Sequence, residues 1–430
     1  MARRLSGVIG VVLALSLLVS LRAQGPAGTP GRDGSDVTFT KDVAPILYEN
    51  CAFCHRPGEV APMSLLTYQQ ARPWARSIRQ EVLQRRMPPW RADPHYGTFR
   101  NDRLLTDAQI ATLVAWADGG APEGDPGDLP TAPQFAEGWQ IGTPDLVLTM
   151  AEPFTIPATG AIPWVNLPSN EYVFQEDTWV QAIEVRPGNR AAVHHAVAGA
   201  IAPDDDPRIG AENLHLYSPG LGAMVWREGY GKLLRKGTRI QFGMHYNAIG
   251  QETTDQTKVG FKFARQPVHT QVHTTILANT ALAIPQMASR HQAVTAFQFP
   301  AEARVHGMRP HMHLRGKTGT ASLIYPDGLR RVLLHVPDWD DSWQNYYVLA
   351  EPAPVPKGAV FEFMATYDNS PANPLNPDPR SEVLWGQQVW EEMHSIYMTW
   401  TEVNEQNAGD GEPIQVPADT AFTTGILSQR

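Results

Sequence analysis

Val389-Trp-Glu-Glu-Met-His-Ser-Ile-Tyr-Met-Thr-Trp400 reads as a β-strand. Ile396, Met398 and Trp400 fall at every second position, which turns them toward a core and leaves Met393, Ser395 and Tyr397 on the opposite face. Methionine normally fills a core gap, so a methionine on the outward face needs another reason to be there. Ile240-Gln-Phe-Gly-Met-His-Tyr246 repeats the pattern: Ile240, Phe242, Met244 and Tyr246 form the apolar face, and His245 points away with Gln241. Short runs of this kind, punctuated by Pro-Gly, Asp-Gly and Lys-Gly, continue from about residue 138 to 405 and predict an all-β region.

Two more histidine groups lie in that region. His311 and His313 are two apart, so on a strand both face one way, with Cα atoms about 6.5–7 Å apart, a chelating arrangement; Arg309 and Arg315 share their face. His194 and His195 are adjacent and can serve one metal only at a bulge or a strand end. Imidazole and thioether donors without thiolate favour copper, and a methionine favours Cu(I); zinc is the alternative for three histidines. A blue-copper site needs a cysteine, and both cysteines of the chain are committed elsewhere. His306 and His394 are close enough in sequence to serve as partners of the ligands. His269, His273 and His335 read as structural, and Trp339, Trp343, Tyr346 and Tyr347 as loop packing. The run Asp204-Asp-Asp206, flanked by prolines, reads as a solvated turn.

Toward the N-terminus the period changes. Residues 121–137 hold Pro122, Pro126, Pro130 and Pro133 and read as a stiff linker. Residues 37–120 carry helical patterns over 42–50 and 71–84, and a third helix opening at Thr106-Asp-Ala-Gln109, a capping box, and stopping at Gly119-Gly120. Cys51-Ala-Phe-Cys54-His55 has the spacing at which two thiols attach one haem covalently and the next histidine reaches the iron. Met87, in Arg85-Arg-Met-Pro-Pro-Trp90, is the best-placed sixth ligand, with Met63 and His95 as competitors. The segment resembles a small class of c-type cytochrome domains with this CxxCH…MPPW pattern, which implies an electron carrier. With only two cysteines in 430 residues, both in this motif, no thiol remains for a disulfide, an iron–sulfur cluster or a nucleophile.

Residues 1–23 read as a secretory signal: Arg3 and Arg4, an apolar run over 8–21, and a small-residue site at Ala23. An uncleaved anchor is the alternative, although the run is short for a span. The expected location is periplasmic or secreted. Residues 24–36 read as a disordered spacer. A net charge of −9 without a basic stripe argues against a nucleic-acid partner.

In order and spacing, these ligands resemble the copper type II, ascorbate-dependent monooxygenases, the family of peptidylglycine alpha-hydroxylating monooxygenase and dopamine beta-monooxygenase. The likeness covers about residues 140–405 and is strongest in His311-Met-His-Leu-Arg-Gly-Lys317 and Glu392-Met393. It implies two consecutive eight-stranded antiparallel jelly-roll (β-sandwich) domains, 138–275 and 276–405, behind the small all-α c-type cytochrome domain, with 406–430 as an extension. It also implies two copper ions, an electron-transfer copper on His194, His195 and His245 and an oxygen-binding copper on His311, His313 and Met393, facing each other across a solvent-filled cleft. Arg309 and Tyr397 match positions that hold a substrate carboxylate in the peptide-hydroxylating member. The animal members are disulfide-rich, and this chain has no cysteine to spare.

The expected activity is hydroxylation of a C–H bond in a small organic substrate with dioxygen. Electrons would come from an external donor through one covalent haem c to the copper on His194, His195 and His245. Two alternatives use the same residues: a copper and haem redox relay or copper-handling protein without hydroxylase activity, and a jelly-roll binding scaffold joined to an electron carrier.

Overall fold

The computed structural model describes residues 37–204, 212–404 and 406. The expected signal (1–23), the spacer (24–36), Asp205, Asp206 and the C-terminal extension apart from residue 406 lie outside the described residues. Among the described residues, no helix is long and apolar enough to cross a membrane.

The helical part packs Phe39, Leu47, Leu113 and Trp116 into one core. Its last helix, Asp107–Asp118, starts on the expected capping box, in which the Thr106 side chain accepts from the Gln109 N–H. It ends at Gly119, and Gly120 turns into the left-handed region. The helix expected over 71–84 is broken into Tyr68–Ala71, a 3-10 turn Arg72–Trp74 and Ala75–Leu83. Pro73 has no N–H to continue the helical ladder, which accounts for the interruption. The start of the proline-rich stretch folds back on the helices: the Phe39 N–H and the Trp116 indole both donate to the Pro122 carbonyl at 3.0 Å.

Beyond it the chain is sheet, antiparallel in all but one of its described strand pairs. A nine-stranded sheet runs through the whole β region, and a four-stranded sheet packs on each half of it. Strands Val165–Pro168, Arg239–Tyr246, Val193–Ile201 and Glu212–Tyr217 form the first of these. Phe242, Met244 and Ala198 from it share a core with Ile183, Val259 and Phe261 of the long sheet. Strands His291–Gln298, Val360–Tyr367, Gly316–Ile324 and Arg330–Val336 form the second, where Phe361 and Phe363 meet Met308, Ile396, Met398 and Trp400. The alternation read in 389–400 holds for those last three residues. Sheet on sheet over an interdigitated apolar core is a β-sandwich arrangement, and the chain holds it without a disulfide.

Two features bind the parts more tightly than the sequence suggests. Strand Thr270–Ala278 pairs in parallel with Tyr230–Leu234 at its start and antiparallel with Ser395–Glu402 along its length. The expected boundary at 275/276 therefore falls inside a strand that belongs to both halves. Residues 90–101, expected within the helical domain, lie against the second half. Trp90 and Phe99 enter its core around Tyr347, and main-chain hydrogen bonds tie Asp93 to His335 at 2.8 Å and Arg100 to Val348 at 2.9 Å. This stretch has no helical period, so its two large rings find their burial against the sheet.

Candidate metal centre

His245 sits on Arg239–Tyr246, with Ile240, Phe242, Met244 and Tyr246 buried on the inner face, as the alternation predicts. Opposite it, the register of Val193–Ile201 slips: Val193 pairs with Tyr246 and His195 with His245, which leaves His194 as the extra residue of a β-bulge. The bulge lets neighbouring histidines face the same point. The Nδ1 atoms of His194 and His195 are 3.1 Å apart, and those of His194 and His245 are 3.4 Å apart. Within the cluster the potential ligand atoms all lie within 4.8 Å of one another. Burial lowers the pKa of all three, that of His245 to about 3, so the rings are neutral with lone pairs available.

The second group forms at a strand end rather than within a strand. Ala303–His311 stops at His311; Met312 turns into the core and His313 lies in the turn that follows. Met393 likewise precedes its strand, which begins at Ser395. These two irregular segments meet, and His311 Nε2 lies 3.2 Å from the Met393 sulfur. His311 Nδ1 faces the Gln344 side-chain oxygen at 2.6 Å, and His313 Nδ1 faces the Glu391 carbonyl at 3.3 Å. An acceptor at each Nδ1 fixes the proton there and leaves each Nε2 as a donor to a metal.

Glu392 holds the segments together. Its carboxylate accepts from the main-chain N–H of His313, of Met393 at 2.9 Å and of Arg315 at 3.0 Å. Burial pushes its pKa up to about 7, while the three N–H groups and Arg315 pull the other way. Behind it, the Tyr367 hydroxyl donates to the Met393 carbonyl at 3.0 Å and lies 2.9 Å from His394 Nδ1, so His394 supports Met393 from behind. His306 pairs instead with Thr401 on the far part of its strand.

His195 and His245 of the first group and His311, His313 and Met393 of the second line a single cavity of about 180 Å³. The rings of His195 and His311 approach to 6.3 Å, whereas the resemblance implies an open cleft between the groups. Arg309 and Tyr397 line the same cavity, the guanidinium stacked 3.9 Å over the phenol ring. Arg309 is only 2% exposed, and among the described residues no carboxylate forms an ion pair with it. A buried cation without an anionic partner is costly, and this one faces a cavity able to admit an anion.

The Cys51-to-His55 segment follows helix Ala44–Asn50 and lines an apolar pocket with Met87 and Pro88. His55 lines the same pocket, and its Nδ1 faces the Met63 carbonyl at 3.2 Å, which leaves Nε2 free of that contact. Met63 thus contributes its main chain, and His95 is exposed beside Asp93 at 2.7 Å. Burial pushes the Cys51 thiol up to about 12.

Gln344 and the clamping role of Glu392 are absent from the sequence reading, as is Trp164, whose ring lies 5.9 Å from that of His195. For Trp164 a signal exists: a Cβ on Gly243 would meet its ring at 2.3 Å, and a glycine inside a strand often marks a close approach.

No family model matches the chain, and no curated protein matches it. Among solved structures, PNGF-II aligns at 10% identity over 60% of this chain and 64% of that one, less than two thirds of its length, with a TM-score of 0.27. The VP2 subviral particle of infectious bursal disease virus aligns at 10% identity over 63% of this chain and 83% of that one, with a TM-score of 0.17.

Proposed function

We propose that the chain is an exported copper monooxygenase with its own c-type cytochrome domain, built on two jelly-roll sandwiches, that hydroxylates a C–H bond of a small organic substrate. One observation carries this reading: two distinct sets of neutral imidazole and thioether donors, the first through His195 and His245 and the second through His311, His313 and Met393, reach one cavity that is also lined by a buried guanidinium without a carboxylate. Three imidazoles and a separate imidazole–imidazole–thioether set fit copper and lack the hard oxygens of calcium or magnesium sites. Copper on these ligands would supply single electrons and activate dioxygen.

The chain's own residues supply the rest. His194, His195 and His245 hold one ion, with the bulge setting their convergence. His311, His313 and Met393 hold the other, with Gln344 and the Glu391 carbonyl fixing the tautomers. Arg309 takes a carboxylate of the substrate, and the Tyr397 ring holds the guanidinium in place. A cavity of about 180 Å³ selects a small molecule and excludes bulk water. In the helical part, the apolar walls fit a haem that Cys51 and Cys54 would bind covalently and His55 and Met87, which line the same pocket, would ligate.

Metal analysis of the purified chain is expected to give two coppers and one iron. His245→Ala lowers copper to about one per chain with iron unchanged, since a site of three ligands loses one and the other site lies on different strands. Substrate-dependent oxygen uptake across a panel of small carboxylates tests the activity. The close approach of His195 and His311 favours a second reading, a redox relay; full copper loading with no substrate-dependent uptake would establish that one. Met87→Ala is expected to lower the haem midpoint potential by an amount on the order of 0.1 V, read by optical titration; an unchanged potential would move the sixth ligand elsewhere.

A further inference from the structure

The loop after strand Arg330–Val336 touches the cytochrome pocket on one side and a metal group on the other. Its Trp343 lines the apolar pocket formed by Cys51, Cys54, His55 and Met87. The next residue, Gln344, is buried and places its side-chain oxygen 2.6 Å from His311 Nδ1. The loop is pinned to the methionine-bearing segment: the Asn345 amide donates to the Pro89 carbonyl at 2.7 Å, and Arg91 pairs with Asp338 at 3.1 Å and Asp340 at 2.9 Å. One peptide bond and one hydrogen bond therefore join an indole on the pocket wall to a proposed copper ligand. Electrons cross bonded and touching atoms far faster than open gaps, so a continuous chain of this kind defines a route.

We propose that Trp343 and Gln344 form the electron bridge from the haem to the His311–His313–Met393 site, making that site, and not the one on His194, His195 and His245, the point of entry. This rests on reading the pocket as a haem site and the two histidine groups as copper sites. In each transfer one electron leaves ferrous haem, which becomes ferric, and one Cu(II) at the His311 site becomes Cu(I). No bond is made or broken. The first site has a weaker claim: among the described residues the side-chain hydrogen bonds of His194, His195 and His245 join them only to one another, and none reaches this loop.

The test uses the full chain carrying haem and Cu(II). The haem is photoreduced without oxygen, and its ferrous absorbance is followed together with the cupric electron paramagnetic resonance signal. In the wild type the ferrous band decays as one cupric signal is lost. Trp343→Leu slows the decay by at least about tenfold, whereas Trp343→Phe stays within about threefold of wild type, with haem potential and copper content unchanged in both. His245→Ala, which lacks the first site's ion, keeps a decay within about twofold of wild type. A wild-type rate in Trp343→Leu, equal slowing in both Trp343 variants, or loss of the decay in His245→Ala overturns the bridge and leaves the functional reading standing. Absence of any decay in fully loaded wild type overturns both.

Discussion

Met393→Ala is expected to cut product formation by about a thousandfold, equivalent to roughly 4 kcal/mol of lost transition-state stabilisation. The thioether is the only soft donor in its group, 3.2 Å from His311 Nε2. Neither histidine can shift to replace it, because Gln344 holds one ring and the Glu391 carbonyl the other. The substitution also empties a ligand position in a half-buried place where no other residue lining the cavity supplies sulfur. Copper should fall toward one per chain, with the ion on His194, His195 and His245 retained. Substrate-dependent oxygen uptake and metal content, measured on one preparation, check this. Wild-type uptake by Met393→Ala would remove Met393 from the proposed oxygen-binding site.

Glu392→Ala is expected to be the most destabilising single change near the site. Glu392 is wholly buried and is the acceptor for three main-chain N–H groups, on His313, Arg315 and Met393. Alanine leaves all three without a partner in a dry place, and leaves Arg315 without its nearby carboxylate. Removing one side of such a buried charged network costs about 3–5 kcal/mol, which lowers the melting temperature by an amount on the order of 10 °C. Thermal unfolding of the metal-free chain is the right measurement, since metal binding then plays no part. Glu392→Gln should fall between the two, because its amide nitrogen must face a donor that the carboxylate accepted. A melting temperature unchanged in Glu392→Ala would show that the segments hold together without the clamp.

What was legible in the sequence was periodic. The outward turn of His245 follows from four inward apolar neighbours, and the conflict between adjacent His194 and His195 demands a bulge or a strand end, of which the structure has the bulge. His311 and His313 were expected along one strand, yet the strand ends between them, so their convergence owes more to the Glu392 clamp than to pleat geometry. Gln344 was invisible because a glutamine in an aspartate-rich loop, 33 residues from His311, carries no periodicity and no motif. Proximity in the chain places Trp90 and Phe99 with the helical part. Their actual burial against Tyr347 depends on a surface that only the assembled sheet provides.

The strand Thr270–Ala278 limits how this protein can be dissected. Cutting at 275/276 separates Val272, His273, Thr274 and Thr275 from their partners Thr401, Trp400, Thr399 and Met398. The C-terminal fragment would then carry residues 398–401 of strand Ser395–Glu402 as a bare sheet edge beside Ala303–His311, and unpaired edges of that kind recruit other chains. Fragments made to isolate one histidine group should therefore precipitate or pair with one another. Expressed together, they should reassemble through the severed strand, and a soluble C-terminal half requires a cut before residue 270, which keeps the strand with Ser395–Glu402 and gives up only the pairing of Thr270 and Gln271 with Tyr230 and Gly231.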